Sequence, residues 1–109
     1  MTAKLVPMGF FSLAHEEMRR AQRKFPSTRL QMAALTEEVG ELANALIEHA
    51  RSGKPAEEVY AEAVQVAAMA ARIALEGSAE FPYVCPFPSG DDACEWMAKR
   101  NSHRPIVKF

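Results

Sequence analysis

With 109 residues, 49% of them hydrophobic and 25% charged, the chain has room for one core and not two, and it is too apolar to be disordered throughout. A formal net charge of −1 and a pI near 6.3 leave it without the basic footprint of a nucleic-acid binder. Two cysteines, Cys85 and Cys94, make neither a disulfide framework nor a CxxC site.

In chain order, residues 1–8 read as a loose leader, too short and interrupted for a signal peptide. Phe11, Ala14, Met18, Ala21 and Phe25 then recur at helical period, with Glu16, Glu17, Arg19, Arg20, Arg23 and Lys24 on the other side, which predicts a first helix over Phe10–Lys24. Pro26 ends it and Ser27 offers a cap for the next. The spacing predicts a second helix from about Thr28 to Arg51, closed by Gly53, and a third from about Ala56 to Glu76, closed by Gly77, with Pro55 in its first turn. So short a connection folds helices two and three into an antiparallel hairpin.

Three prolines in Phe81–Gly90 exclude regular helix there. Asp91 or Asp92 can cap a short fourth helix to about Arg100, and the tail to Phe109 is read as extended. The fold class is therefore all-α: a hairpin with an extra N-terminal helix and an irregular C-terminal third. The helical core spans about 10–77 and the Pro-rich loop, short helix and tail 78–109, in a single domain. No apolar run reaches the length of a bilayer span, so a soluble cytoplasmic protein without nucleic-acid or membrane partners is expected.

The chemistry concentrates on the hairpin. Leu35, Val39, Leu42 and Leu46 form a stripe on helix two, with Glu38 at its edge and Glu41 one step round. Residues three apart are helical neighbours, so these acids point to one spot while Glu37 turns toward solvent. On helix three Glu62 falls inside the stripe Val59, Val66, Met69 and Ile73, and Gln65 follows on the side of Met69. A buried carboxylate is costly unless paired or bound to metal, and converging acids repel unless a cation neutralises them. Carboxylates at i and i+3 facing a second such pair suit a hard divalent ion, Mg²⁺ best of all. The alternative is that the acids are solvated or paired with Arg51, Lys54 or Arg72. Gly40, mid-helix, is read as a point of close helix contact. Cys85, Cys94 and His103 fit no standard zinc module.

Glu37-Glu38-x-x-Glu41 followed by Glu62-x-x-Gln65 resembles the EExxE…ExxD signature of the MazG-like all-α nucleoside triphosphate pyrophosphohydrolases, and Leu35-Thr-Glu-Glu-Val-Gly-Glu-Leu-Ala matches their first motif nearly letter for letter. The resemblance covers roughly residues 11–77. It implies hydrolysis of a (d)NTP to (d)NMP and pyrophosphate with Mg²⁺, or Mn²⁺ in its place. Glu38, Glu41, Glu62 and Gln65 would be metal ligands, and Glu37 would orient or deprotonate the attacking water beside Glu38. Gln65 departs from the family's Asp: its amide oxygen still ligates a hard cation but brings no charge. Asn101-Ser-His-Arg104, with Lys99 upstream, resembles the family's phosphate-contacting segment; Lys24, Arg29 and Lys54 are further candidates to meet an anionic substrate. The family and the alanine-rich helices both lead to a homodimer or a dimer of dimers with four-helix-bundle packing. The other reading is a catalytically weak or inactive nucleotide-binding or helical assembly module of the same fold.

Overall fold

The computed structural model describes residues 7–104 of the chain. Four helices run through them: α1 Pro7–Lys24, α2 Gln31–Ser52, α3 Ala56–Glu76 and α4 Gly90–Asn101. The β-type pairing among the described residues is an isolated bridge between Ser78 and Phe81, so this part of the chain is all-α as its periodicity required. None of its helices is long and apolar enough to cross a membrane. Residues 1–6 of the expected leader and 105–109 of the expected tail lie outside the described residues.

Helix α1 begins earlier than its periodicity suggested, because Pro7 suits a first turn whose N–H groups need no helical partner. It buries Ala14 and Met18, one turn apart, against α3, and the Phe10 ring meets the Tyr60 ring edge-on at 5.5 Å. Arg72, with its side chain 3% exposed, holds the two helices together. It pairs with Glu76 at 3.0 Å and donates to the Ala21 carbonyl of α1 at 3.5 Å. Glu76 also accepts from Gln22 of α1 at 2.9 Å.

Helix α2 does not start on a Ser27 cap. The Ser27 hydroxyl accepts from the Arg29 N–H at 3.1 Å, and Leu30 then turns the chain through the left-handed region at φ 61. The first amides of α2 find their partners about fifty residues on. Glu80 accepts the Leu30 N–H at 3.0 Å, the Ser78 hydroxyl accepts that of Met32 at 3.4 Å, and the side-chain amide of Gln31 donates to the Gly77 carbonyl. In return, the Ala79 N–H donates to the Thr28 carbonyl at 3.0 Å. A carboxylate at this end also complements the helix dipole.

Gly53 and Gly77 close α2 and α3 at φ 68 and 73, a region cheap only for glycine. Pro55 precedes α3 instead of entering its first turn. Helices α2 and α3 pack along their length and α1 packs on α3, whereas α4 packs on none of them. Ser89, and neither Asp91 nor Asp92, caps α4 by accepting the Asp92 N–H at 3.2 Å. The side chains of the core proper are few: Ala14, Met18, Val64 and Ala68 are the buried apolar ones among the described residues.

Candidate metal centre

The packing of α2 on α3 brings Glu38, Glu41 and Glu62 together, so that one carboxylate oxygen from each lies within 4.8 Å of the others. Glu38 and Glu41 come from one face of α2 through their i, i+3 spacing, and Glu62 comes from the α2-facing side of α3. Glu41 is exposed, while Glu38 and Glu62 are half-buried. Glu38 Oε2 and Glu62 Oε2 are shut off from solvent without a hydrogen-bond partner.

The electrostatics follow from that geometry. Burial, then the negative charges of Glu41 and Glu62, push the Glu38 carboxyl up from 4.5 to about 7. Burial, then Glu41, raises Glu62 as well. Arg72 is spent on Glu76 and Lys54 on Glu48 at 3.0 Å, so neither neutralises the cluster, and the solvated-or-paired alternative loses those two cations. Converging oxygens in want of a positive partner are the donor set of a hard divalent ion. The residues present therefore fit Mg²⁺ or Mn²⁺.

Gln65 has a neighbour on another helix. Its amide lies beside Glu17 of α1 and, after Arg20, helps hold that carboxylate below its ordinary range. The two border a cleft between α1 and α3. The cause lies in α1, which runs along the side of α3 next to Glu62 and gives the amide a charged acceptor. Glu37 is exposed to solvent.

Of the cationic candidates, Lys54 alone borders the groove that extends the acid cluster toward the hairpin turn, a space of about 310 Å³ lined also by Glu41, Asn44, Glu48, Glu58 and Glu62. Lys24 stands over the Phe25 ring at 5.5 Å and Arg29 is exposed beyond the end of α1. Lys99 pairs with Glu95 at 3.2 Å, and it, Asn101 and Arg104 belong to the α4 region, which packs on no other helix. Asn44 and Glu58 were missed, although Asn44 stands three residues after Glu41 and Glu58 four before Glu62, the spacing that picked out the acids themselves. Cys85 and Cys94 are free thiols, and the carboxylate trio is the one group among the described residues arranged to hold a metal ion.

Gly40 marks no close contact within the chain, since a Cβ built there meets nothing within 4 Å. Comparison of the chain with protein-family models, with curated proteins and with solved structures found no match.

Proposed function

We propose that the chain is a Mg²⁺-dependent nucleotide pyrophosphohydrolase of the MazG-like kind, converting a (d)NTP to (d)NMP and pyrophosphate. The observation that carries this reading is the convergence of Glu38, Glu41 and Glu62 with two carboxylate oxygens sealed away and unpartnered. Such an arrangement costs stability and is explained by a bound cation. In this reading the chain works as a homo-oligomer of the four-helix-bundle type.

Glu38, Glu41 and Glu62 would hold the ion, which supplies charge neutralisation for the triphosphate and a more acidic water. Glu37 accepts the proton of the water that attacks the α-phosphorus. The bond from the α-phosphorus to the bridging oxygen breaks, and pyrophosphate leaves. Lys54 exchanges Glu48 for a phosphate oxygen at the far end of the groove, where the compact ammonium acts as a point charge.

The position of Gln65 favours a second reading, a nucleotide-binding module with weak turnover, because an amide engaged by Glu17 leaves three carboxylates for the ion. The deciding experiment measures pyrophosphate release from a panel of NTPs and dNTPs with Mg²⁺ or Mn²⁺, alongside calorimetric titration of metal and nucleotide. Release with at least one substrate supports the enzyme. Metal-dependent binding without release, gained on Gln65→Asp, supports the module, and flat heats throughout sink both.

A further inference from the structure

The family resemblance stops near residue 77, and the acid cluster draws on nothing beyond it. Past that point Pro86, Phe87 and Pro88 lead into Ser89, whose hydroxyl accepts the Asp92 N–H at 3.2 Å and donates to Asp92 Oδ2 at 2.9 Å. Proline fixes φ on either side of Phe87, and the cap fixes where α4 begins. The register of α4 against the proline segment is therefore set locally. Asp92, Glu95, Trp96 and Lys99 stand at i, i+3, i+4 and i+7, which is one face of the helix. That face and the segment 86–88 line a groove of about 450 Å³.

The groove combines apolar walls with charged ones. The Phe87 and Trp96 rings meet there at 5.9 Å, tilted by 54°, and the two prolines add apolar surface beside them. Trp96 is the one tryptophan of the chain and is 50% exposed on a helix that packs on no other helix, so core packing does not account for it. An exposed aromatic platform takes either a nucleobase, whose phosphates call for cations nearby, or a cation, which calls for acids. Asp92 and Glu95 decide for the cation. Two of the chain's own cations already take up these groups. Lys99 pairs with Glu95 at 3.2 Å, their side chains 76% and 68% exposed, and the Arg100 guanidinium lies over the Trp96 ring at 5.8 Å. A pair so exposed is held loosely and gives way to a cation that brings apolar contacts of its own.

We infer that this groove takes an arginine side chain presented by another polypeptide, its aliphatic stem along Phe87, Trp96 and the prolines and its guanidinium at Glu95 and Asp92 in place of the Lys99 ammonium. Arginine suits it better than lysine, because the planar guanidinium stacks on aromatic rings, meets carboxylates with paired N–H groups and sheds water more readily. Arginine within a polypeptide suits it better than the free amino acid, whose own carboxylate would face the same acids. The volume falls in the lower part of the range for ligand clefts. The site shares no residue with the acid cluster on α2 and α3, so it stands or falls apart from pyrophosphate release.

Trp96 reports on its own site. The test is the fluorescence emission of the full chain during titration with an N-acetylated, C-amidated pentapeptide carrying one arginine between alanines. A saturable change is expected with arginine, several-fold weaker binding with lysine in its place, and none with citrulline, which keeps the shape and loses the charge. Glu95→Gln weakens binding by about fivefold. Lys99→Ala tightens it by up to about fivefold, since Glu95 is then free, and a gain of that kind cannot come from a helix that has unfolded. Four results would each overturn the inference: no saturable change with the arginine peptide, an equal change with citrulline, free arginine binding as tightly as the peptide, or weaker binding by Lys99→Ala. An emission change with a nucleoside triphosphate and none with the peptide would overturn it too, and would return the groove to the nucleotide.

Discussion

Two groups of carboxylates on the same helix pair meet opposite fates. At the C-terminal end of α3, Glu76 is drawn below its ordinary range by Arg72 and then Gln22, and Glu80 by Ser78 and then the Leu30 N–H. Midway along the hairpin, Glu38 and Glu62 are driven the other way by burial and by one another. The chain therefore does not lack means to satisfy an acid, since it supplies cations and N–H donors at the end of the hairpin and withholds them at its middle. Like charges left adjacent at one place and neutralised at another are the pattern that the proposed metal site would explain.

The difference is sharpest in turnover. Glu38→Gln keeps the shape of the cluster and removes a charge, so metal-dependent pyrophosphate release is expected to fall by about 10³-fold, some 4 kcal/mol at the transition state. At the satisfied end the same logic acts on stability. Arg72→Ala leaves Glu76 without its main partner and unclips α1 from α3, a loss of roughly 3 kcal/mol in urea unfolding, with little change in metal affinity per folded molecule.

The pH dependence separates the two groups by sign. Glu38 is protonated in both states below its ordinary 4.5, and there it makes no difference to folding. Above that the folded chain binds more protons than the unfolded one, so metal-free stability declines as pH rises and levels off beyond about 7. Glu38→Gln is expected to recover on the order of 1 kcal/mol of it at pH 8 after allowance for solvent screening, and Mg²⁺ to recover it in the wild type. A denaturation series in which metal-free stability climbs across that window would contradict the cluster as described. Glu76 and Glu80 contribute the reverse, stability lost on acidification as each takes up its proton. The smallest effect is Glu80→Gln, which lowers the melting temperature by less than Arg72→Ala and does so less in high salt, because a carboxylate at an exposed helix end is screened.

Periodicity and turn residues made most of the helical framework legible. Glycine and proline marked the ends of the hairpin because those residues act through local backbone geometry. Glu38, Glu41 and Glu62 could be brought together for the same reason, since i, i+3 spacing and an antiparallel hairpin fix their relation without any knowledge of the surroundings. What escaped was non-local. The start of α2 depends on Glu80 and Ser78, fifty residues away, and Ser27 looked like a cap only while they were out of view. Gln65 was read toward Met69 because nothing in its own helix announces that Glu17 lies beside it. The stripe Leu35, Val39, Leu42 and Leu46 also divides in space. Leu35 and Leu42 enter the hairpin, and Val39 and Leu46 stay outside it, a distinction that depends on how far α3 wraps around α2.

The linkage between Gly77, Ser78 and Glu80 and the start of α2 has a kinetic consequence. The hairpin is joined covalently through residues 53–55 and fastened at its other end by these hydrogen bonds, so its two helices form a ring that resists sliding. A slip of one turn, about 5.4 Å, would carry Glu62 away from Glu38 and would first have to undo that fastening. The amide protons of Leu30, Met32 and Ala79 should accordingly exchange with deuterium at one common rate, as a single opening event.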